Sequence, residues 1–510
     1  MADSTPRRAI LSVNDKGGLP AFARGLMRLG YELYSTGGTR RALDEASVDS
    51  RPVSDLTGFP EMLGGRIKTL HPAVHGGLVA RRDNPVEMAA LEQYRLPTID
   101  LVCVNLAPIA ELAARPGMDV DEALDMVDIG GPALIRSAAS NYRSVIVIVR
   151  PERYTEVLTD LNREGDVEED FRRRLAAEAF AHASAYDARL AAWLRRDEPF
   201  PIDLVLAGSL AQHLRYGENP HQQAAFYRLG PEPGGLGSAR QLQGAELSFN
   251  NIQDAAAASS LVREFDRPAA AIIQHTNPCG VGIAGTLADA YRKALDCDRA
   301  AAVGGVVAFN RPLDAATAEQ LVSILIEVVI APSVDDGALK VLSRQPKVRL
   351  LAAGPVRQPG LDVRAIGGGF LAQTWDQTGF DRDACRVISD RPPTDQEWEQ
   401  LGFAWLVCKH AKSSAIVYVN DSAAVGIGTG QLTRVEAAQV ASERAGSRAR
   451  GGVMASDAFF ATPEAIEVGL RAGITAIIQP GGSMRDAEAM TVVDAADAAM
   501  VVTGERHYRH

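Results

Sequence analysis

The sequence predicts an α/β protein made of two successive α/β regions, on three observations. Short, near-continuous apolar runs alternate with helix-like stretches through residues 1–196. The same alternation restarts near residue 205. Two later segments, "AAAIIQHTNPCG" and "TAIIQPGGS", each end an apolar run on Gln and enter a Pro/Gly turn, a loose internal likeness. Apolar strands separated by helices belong to parallel sheets covered on both faces.

In the first region "AILSV" reads as a strand and "LPAFARGLMRLG" as an amphipathic helix closed by Gly30. "ELYST" is a second strand, followed by a Gly-rich turn at Gly37 and Gly38. "IDLVCVNL" and "SVIVIV" are further strands. "DIGGPALIRSAA" (128–139) opens a helix with Pro132 in its first turn. A long helix, "EDFRRRLAAEAFAHASAYDARLAAWLRR", runs to Arg196, and "DEPFPIDL" reads as a linker. The second region holds the strands "AAAIIQHTNP", "AAVGGVVAFN", "SAIVYVN", "VGIGTG" and "TAIIQPGG". The internal likeness predicts a duplication, one copy over 205–375 and another over 385–510. In open α/β sheets ligands bind beyond the carboxyl ends of strands, and most of the Gly-rich and polar turns fall there.

The 510 residues carry a formal charge of -11, from 53 Lys+Arg against 64 Asp+Glu. An acidic chain without a basic block is a poor nucleic-acid binder. It binds phosphate only by gathering Lys, Arg and helix N-termini locally. The opening "MADSTPRRAILSVNDKGG" has no apolar signal core, and no run is long and apolar enough to span a bilayer. Five scattered cysteines fit a reducing cytoplasm, and the absence of CxxC or HExxH motifs argues against a bound metal. No membrane or nucleic-acid partner is expected.

"GGRIKTLHPAVHGG" (64–77) sets Arg66, Lys68, Thr69, His71 and His75 between glycine pairs. Glycine lets a backbone approach a ligand, and Arg and Lys supply charge for an anion. With "SVNDKGG" (12–18) and "STGGT" (35–39), this motif makes a phosphate cradle on one rim. The alternative for the 64–77 motif is a solvated basic loop. The Gly-Gly turn after Asp128 offers free backbone N–H groups for an oxyanion. "LRYGENPHQ" (214–222) packs Arg, Tyr, Glu, Asn, Pro and His around a Gly turn, and "FNNIQDA" (249–255) reads as a helix N-terminus capped by Asn.

These motifs, together with "HTNPCG", "GGVVAFNRPLD", "SDAFF", "QPGGSMRD" and the terminal "RHYRH", run in order along the whole chain. Together they resemble the bifunctional purine-biosynthesis family that joins AICAR transformylase to IMP cyclohydrolase. The resemblance implies a methylglyoxal-synthase-like first domain (1–196) and a duplicated cytidine-deaminase-like second region without zinc. It implies a cytoplasmic homodimer with small-molecule nucleotide and folate substrates, and 10-formyltetrahydrofolate as cosubstrate. In the second region it makes His275 the base for formyl transfer. Arg215, Tyr216, Asn251, Arg506 and His510 would bind the nucleotide. In the first, Lys68, Thr69 and Asp128, with Gly130, would serve ring closure. Asn14, Lys16, Ser35, Gly37, Gly38, Thr39 and Arg66 would seat the phosphate.

Several positions depart from the family pattern. The usual "NLYPF" is "NLAPI", with Ala107 in place of tyrosine, and Ser140 replaces a lysine. Gln274 replaces the lysine that precedes the histidine, and Ser414 replaces an asparagine. "AAVGG" stands for "SAFGG" and "FFATPE" for "FFPFRD". Three readings stay open at this point. The chain is the ordinary bifunctional enzyme, a paralogue acting on an AICAR-like analogue in a nucleoside-antibiotic route, or a catalytically weakened nucleotide-binding or assembly protein.

Overall fold

The computed structural model describes residues 6–108, 119–195, 198–230, 234–355 and 360–510. The chain divides into two compact units, Met1–Gly208 and Ser209–His510. The expected boundary residue Arg196 lies outside the described residues. The long helix before it is Glu169–Leu194.

The first unit holds a five-stranded parallel sheet in the order β3-β2-β1-β4-β5. The strands are β1 (Arg7–Val13), β2 (Tyr31–Ser35), β3 (Arg51–Pro52), β4 (Leu101–Asn105) and β5 (Ile146–Ile148). Strand order reverses between β1 and β4, the switch point beside which such sheets bind ligands. All of β4 and β5 is buried, as continuous apolar runs require. The helix Leu19–Arg28 ends as expected, with Gly30 at a φ of 82°. The expected turn at Gly37 and Gly38 is instead the first turn of the helix Gly37–Glu45. The chain passes from β2 through Thr36 directly into that helix, so the two glycines present unpaired first-turn N–H groups.

The second unit is built on one twelve-stranded sheet that is mixed, not parallel. After a two-stranded sheet of β6 (Gly208–Leu214) and β7 (Ala224–Leu229) and the edge strand β8 (Arg240–Gln243), its first half contains the helix Phe249–Val262 and the antiparallel hairpin β9 (Ala269–Gln274) and β10 (Asn277–Ile283). There follow the helix Leu287–Cys297 and the parallel strands β11 (Val306–Phe309), β12 (Val328–Ala331) and β13 (Arg349–Ala352). After a separate hairpin of β14 (Leu361–Ile366) and β15 (Gly369–Thr374) and the edge strand β16 (Arg386–Val387), its second half repeats that order. The helix Asp395–Lys409 leads to the hairpin β17 (Ile416–Asn420) and β18 (Ala423–Gly428). The helix Arg434–Ala445 then precedes the parallel strands β19 (Val453–Ser456), β20 (Ala476–Gln479) and β21 (Ala499–Val502). The halves meet where β10 pairs antiparallel with β18.

The repeat is therefore in a different register from the one the sequence suggested. "AAAIIQ" is β9 and corresponds to β17, whereas "TAIIQ" is β20 and corresponds to β12. Both segments end on Gln, half-buried at 274 and buried at 479, but only β9 leads into a hairpin.

Each half depends on close approach between a glycine-bearing strand and a helix. A Cβ on Gly280 or Gly428 would lie 2.0 Å from the carbonyl oxygen of Ala294 or Ala437, respectively. Gly282 and Gly426 sit 2.6 and 2.1 Å from Ala290 and Ala441 oxygens by the same measure. The obstacle is helix backbone, which cannot rotate away as a side chain could. Replacing Gly428 with Ala is expected to destabilise the second unit by about 1–3 kcal/mol, the usual cost of overpacking a core. Thermal melting of Gly428→Ala checks this, and an unchanged transition would show that the helix is free to retreat.

Candidate functional site

The first unit gathers its expected residues at the carboxyl edge of β1, β2 and β4. Oδ1 of Asn105, at the end of β4, accepts the backbone N–H groups of Asn14 and Asp15 at 2.6 and 2.8 Å. That bond bridges the switch point and shapes the loop carrying Lys16, whose Nζ donates to the Asn14 carbonyl at 3.2 Å. Thr39 is buried and exchanges hydrogen bonds with the Val13 backbone, at 2.9 and 3.1 Å. Ser35 is buried and pairs with Ser50 at 2.9 Å. Ser35 and Thr39 thus tie the rim together, while Asn14, Lys16, Gly37 and Gly38 are exposed on it.

The 64–77 motif meets the same region through Thr69. Its hydroxyl is buried without a partner, and a Cβ on Gly130 would lie 2.5 Å from it. Only glycine at 130 admits that contact. Asp128 accepts the Gly131 N–H at 2.8 Å, fixing the entry to the helix Gly130–Ser140. A Cβ on Gly131 would lie 2.6 Å from Leu106, so this entry packs against the end of β4. Lys68 is half-buried beside Thr69. Arg66 is engaged with Asp125 at 2.9 Å on the surface. His71 caps the helix Pro72–Val79, and His75 Nδ1 bonds Ser137 Oγ at 2.8 Å. Burial holds the His75 imidazole below its ordinary range.

Ala107 directly follows Leu106, whose N–H donates to His182 Nε2 at 3.1 Å. Ser140 stands at the opposite end of its helix from Asp128, roughly 18 Å away at 1.5 Å per residue. Within this chain the fold does not bring that substituted position to Asp128.

In the second unit His275 and Thr276 form the two-residue tip of the β9–β10 hairpin. Both have positive φ, 52° and 62°, as a type I′ turn requires. The polar run after the strand is therefore a tight hairpin, not an open loop. The Asp254 carboxylate accepts the Thr276 N–H at 2.6 Å and also the His275 N–H. His275 is exposed at the tip. The side-chain oxygen of Gln274 is buried, unpartnered, and packed toward Gly305. Asn277 Oδ1 accepts the Lys412 N–H at 3.1 Å, joining this tip to the "KSS" segment of the other half.

That segment carries the chain end. Ser413 Oγ donates to the buried Asp457 at 2.5 Å, and Arg434 reaches the same carboxylate at 3.1 Å. Ser413 also accepts the Arg509 N–H at 3.2 Å. Arg509 donates to His410 Nδ1 at 3.0 Å, and His410 Nε2 bonds Glu264 at 2.8 Å. Burial, foremost, lowers His410 despite Glu264, and keeps it an acceptor toward Arg509. Ser414 donates its N–H to the Gln431 carbonyl. Arg506 lies over the Tyr508 ring at 4.5 Å, and His510 packs 5.8 Å from that ring.

Arg215 lies over Tyr216 at 5.6 Å, in a turn closed from Gly217 N–H to the Gln222 carbonyl. Asn250 Nδ2 reaches the Glu218 carbonyl at 3.5 Å, so the turn abuts the helix Phe249–Val262. That helix is capped by Ser248, with Asn251 at the reciprocal position of a capping box. Asn251 is 4% exposed and spends its amide on Ser248 and Glu327, so it supports the rim from beneath. Asp254, Asp457 and the pair Glu264 and His410 escaped the sequence reading. Acidic residues inside helices and after strands carry no local signal of the turn they will face.

His275 lies at the carboxyl end of β9 but beside the amino ends of β11 and β12, since β9 runs antiparallel to β11. The "KSS" and "SDAFF" residues lie at the carboxyl ends of β19 and its parallel neighbours. The carboxyl-edge expectation therefore holds for the parallel strands of the second half and not for those of the first. Among the described residues no cluster of His, Cys, Asp and Glu is fit to hold a metal ion. None of their helices is long and apolar enough to cross a membrane.

A five-stranded parallel unit with open helix N–H groups at its switch edge, followed by a repeated mixed-sheet unit with a histidine-tipped hairpin, defines a two-unit α/β protein. The chain belongs to the AICARFT/IMPCHase bienzyme family. The model of that family matches residues 138–444, and an MGS-like domain matches 18–133. A Roseobacter denitrificans protein called bifunctional purine biosynthesis protein PurH is 49% identical over 100% of both chains. A Bacillus subtilis protein of the same name is 45% identical over 99% of this chain and 100% of its own. A solved structure titled crystal structure of ForH matches 38% of this chain and 100% of its own at 35% identity and a TM-score of 0.33.

The Leu106 N–H requires His182 Nε2 to be unprotonated. Burial, aided by the charges of Arg150 and Arg189, holds His182 down to about 4, from an ordinary 6.5. Below pH 6.5 the unfolded chain binds a proton that the folded one refuses, so this contribution to stability falls as pH drops toward 4. His75 adds the same sign. The melting temperature of the first unit is expected to decline between pH 7 and 5, and His182→Gln to flatten that slope. An unchanged slope would remove His182 from the account.

Proposed function

We propose that the chain transfers a formyl group to the 5-amino group of AICAR and then closes the purine ring to IMP. The activities follow from family membership along the full chain, and the family implies a folate-type formyl donor. We take that donor to be 10-formyltetrahydrofolate. The observation that carries the transfer site is the exposed His275 at a rigid two-residue tip, tied through Asn277 to Lys412. The amine of AICAR, conjugated to its ring, is a weak nucleophile. His275 removes its proton as nitrogen attacks the formyl carbon, and the resulting imidazolium returns that proton to N10 of the folate as the C–N10 bond breaks. Imidazole suits this because it exchanges protons near neutral pH. Arg215 and Tyr216 hold the nucleotide, and Arg506 and His510 line the same site.

Ring closure is intramolecular: the carboxamide nitrogen attacks the formyl carbon and water leaves. Orientation supplies much of the rate. Lys68 and the free Thr69 hydroxyl move protons and stabilise the oxygen, with Asp128 and the N–H groups at 130 and 131 beside them. Lys16 and the open first turn at Gly37 and Gly38 receive the phosphate.

We read the second unit as a duplicated cytidine-deaminase-like fold, which the repeated helix–hairpin–helix order supports. The active form is a cytoplasmic homodimer. In support, the hairpin β14 (Leu361–Ile366) and β15 (Gly369–Thr374) exposes Ile366 and Leu371 on one side and Phe370 on the other, apolar surface suited to a second copy.

Purified protein given AICAR and 10-formyltetrahydrofolate is expected to form IMP. His275→Ala should lower formyl transfer roughly 10²–10⁴-fold while still cyclising supplied FAICAR. Lys68→Ala should do the reverse. Turnover of an AICAR analogue in preference to AICAR would assign the altered Ala107 and Gln274 to a different substrate. Nucleotide binding with no turnover would leave a binding protein.

A further inference from the structure

The two halves of the second unit build the same hairpin tip with one chemical difference. In the second half Asp421 and Ser422 form the two-residue turn between β17 and β18, again with positive φ, 48° and 58°. The Asp421 N–H is accepted by Gln400 Oε1 at 3.1 Å. Gln400 is the sixth residue of the helix Asp395–Lys409, and Asp254 is the sixth residue of the helix Phe249–Val262. Both helices begin with a capping box, Thr394 with Glu397 and Ser248 with Asn251. The same helix position thus supports the same turn in each half.

A non-glycine pair at positive φ is strained and persists only where the surroundings hold it. The turn N–H groups also lack strand partners and need an acceptor. Gln400 meets that need in the second half as a neutral amide. A carboxylate is therefore not what the turn itself demands. In the half that carries His275, the acceptor is nonetheless a carboxylate. Burial raises Asp254 above the usual carboxylate range, and the two N–H groups of the turn oppose that rise. The charged groups facing this turn are Asp254 and Glu327, which bonds Asn251, with Lys412 beyond Asn277.

We infer that Asp254 is a positioning residue for formyl transfer: it fixes the His275 tip through the turn N–H groups and sets a negative charge beneath an imidazole that becomes positive as it accepts the proton of the amine. The inference rests on His275 as the base. A fixed anion near that developing charge stabilises it without reorganising during the reaction. The charge acts on the chemical step, whereas the acceptor atom acts on the turn.

Asp254→Asn keeps an acceptor and removes the charge, and Asp254→Gln imports the residue type that the fold uses at the other tip. Both are expected to melt near the parent temperature, to cyclise FAICAR at the parent rate and to keep KM for AICAR within about twofold. Both should lose kcat for formyl transfer roughly tenfold or more. Gln400→Asp should leave transfer unchanged. Parent-like kcat in both Asp254 variants would overturn the inference, leaving Asp254 a turn acceptor only. So would loss of the folded second unit in both, since the charge would then belong to folding. His275→Ala, measured in parallel, separates the premises. If that variant transfers formyl normally, the base assignment fails first. If it is inactive while the Asp254 variants are not, only the role of Asp254 fails.

Discussion

The second unit hangs on four glycines that let two helices lie directly on two strands. Gly280 and Gly282 on β10, and Gly426 and Gly428 on β18, face helix carbonyls at distances no Cβ tolerates. Because β10 and β18 are also the pair that joins the halves, the same contacts fix both hairpins relative to one another. Once those strands are seated, the tip of β9–β10 must lie beside the start of β17. That is why Asn277 meets Lys412 and why motifs far apart in the chain converge. The buried tie from Glu264 through His410 to Arg509 then fastens the C-terminal segment to the same place.

The first unit solves its problem differently. A parallel sheet leaves its helices' N-termini and strand ends on one edge, and the switch between β1 and β4 opens a crevice there. Asn105 bridges the crevice by accepting two N–H groups from the β1 loop. Small residues do the rest: glycine at 130 makes room for Thr69, and glycine at 37 and 38 leaves helix N–H groups uncovered. This edge offers open backbone more than charge, in keeping with an acidic chain.

The departures from the family pattern fall into distinct physical settings. Gln274 is half-buried, with its side-chain oxygen buried and unpartnered against Gly305, next to His275. Ala107 follows Leu106, which His182 holds just past the end of β4. Ser140 sits at the far end of its helix from Asp128. Ser414 uses its backbone, rather than its side chain, to bind Gln431.

The sequence alone determined much of the local structure. Alternating apolar runs and helical stretches identified most strands, because burial on both faces leaves an unmistakable pattern. The Gly- and Lys-rich motifs marked candidate sites, because a bound anion needs open backbone and cations. The long ordered motifs identified the family. Only the tertiary structure decided the register of the repeat, the opposite strand edges on which the two halves carry their site residues, and the hairpin at His275. Positive φ at His275 and Thr276 is imposed by strand pairing and by an acceptor 22 positions upstream in the chain. Asp254 looks like any helix aspartate until the hairpin folds over it. Its meaning is set by a non-local contact, which composition and periodicity do not encode.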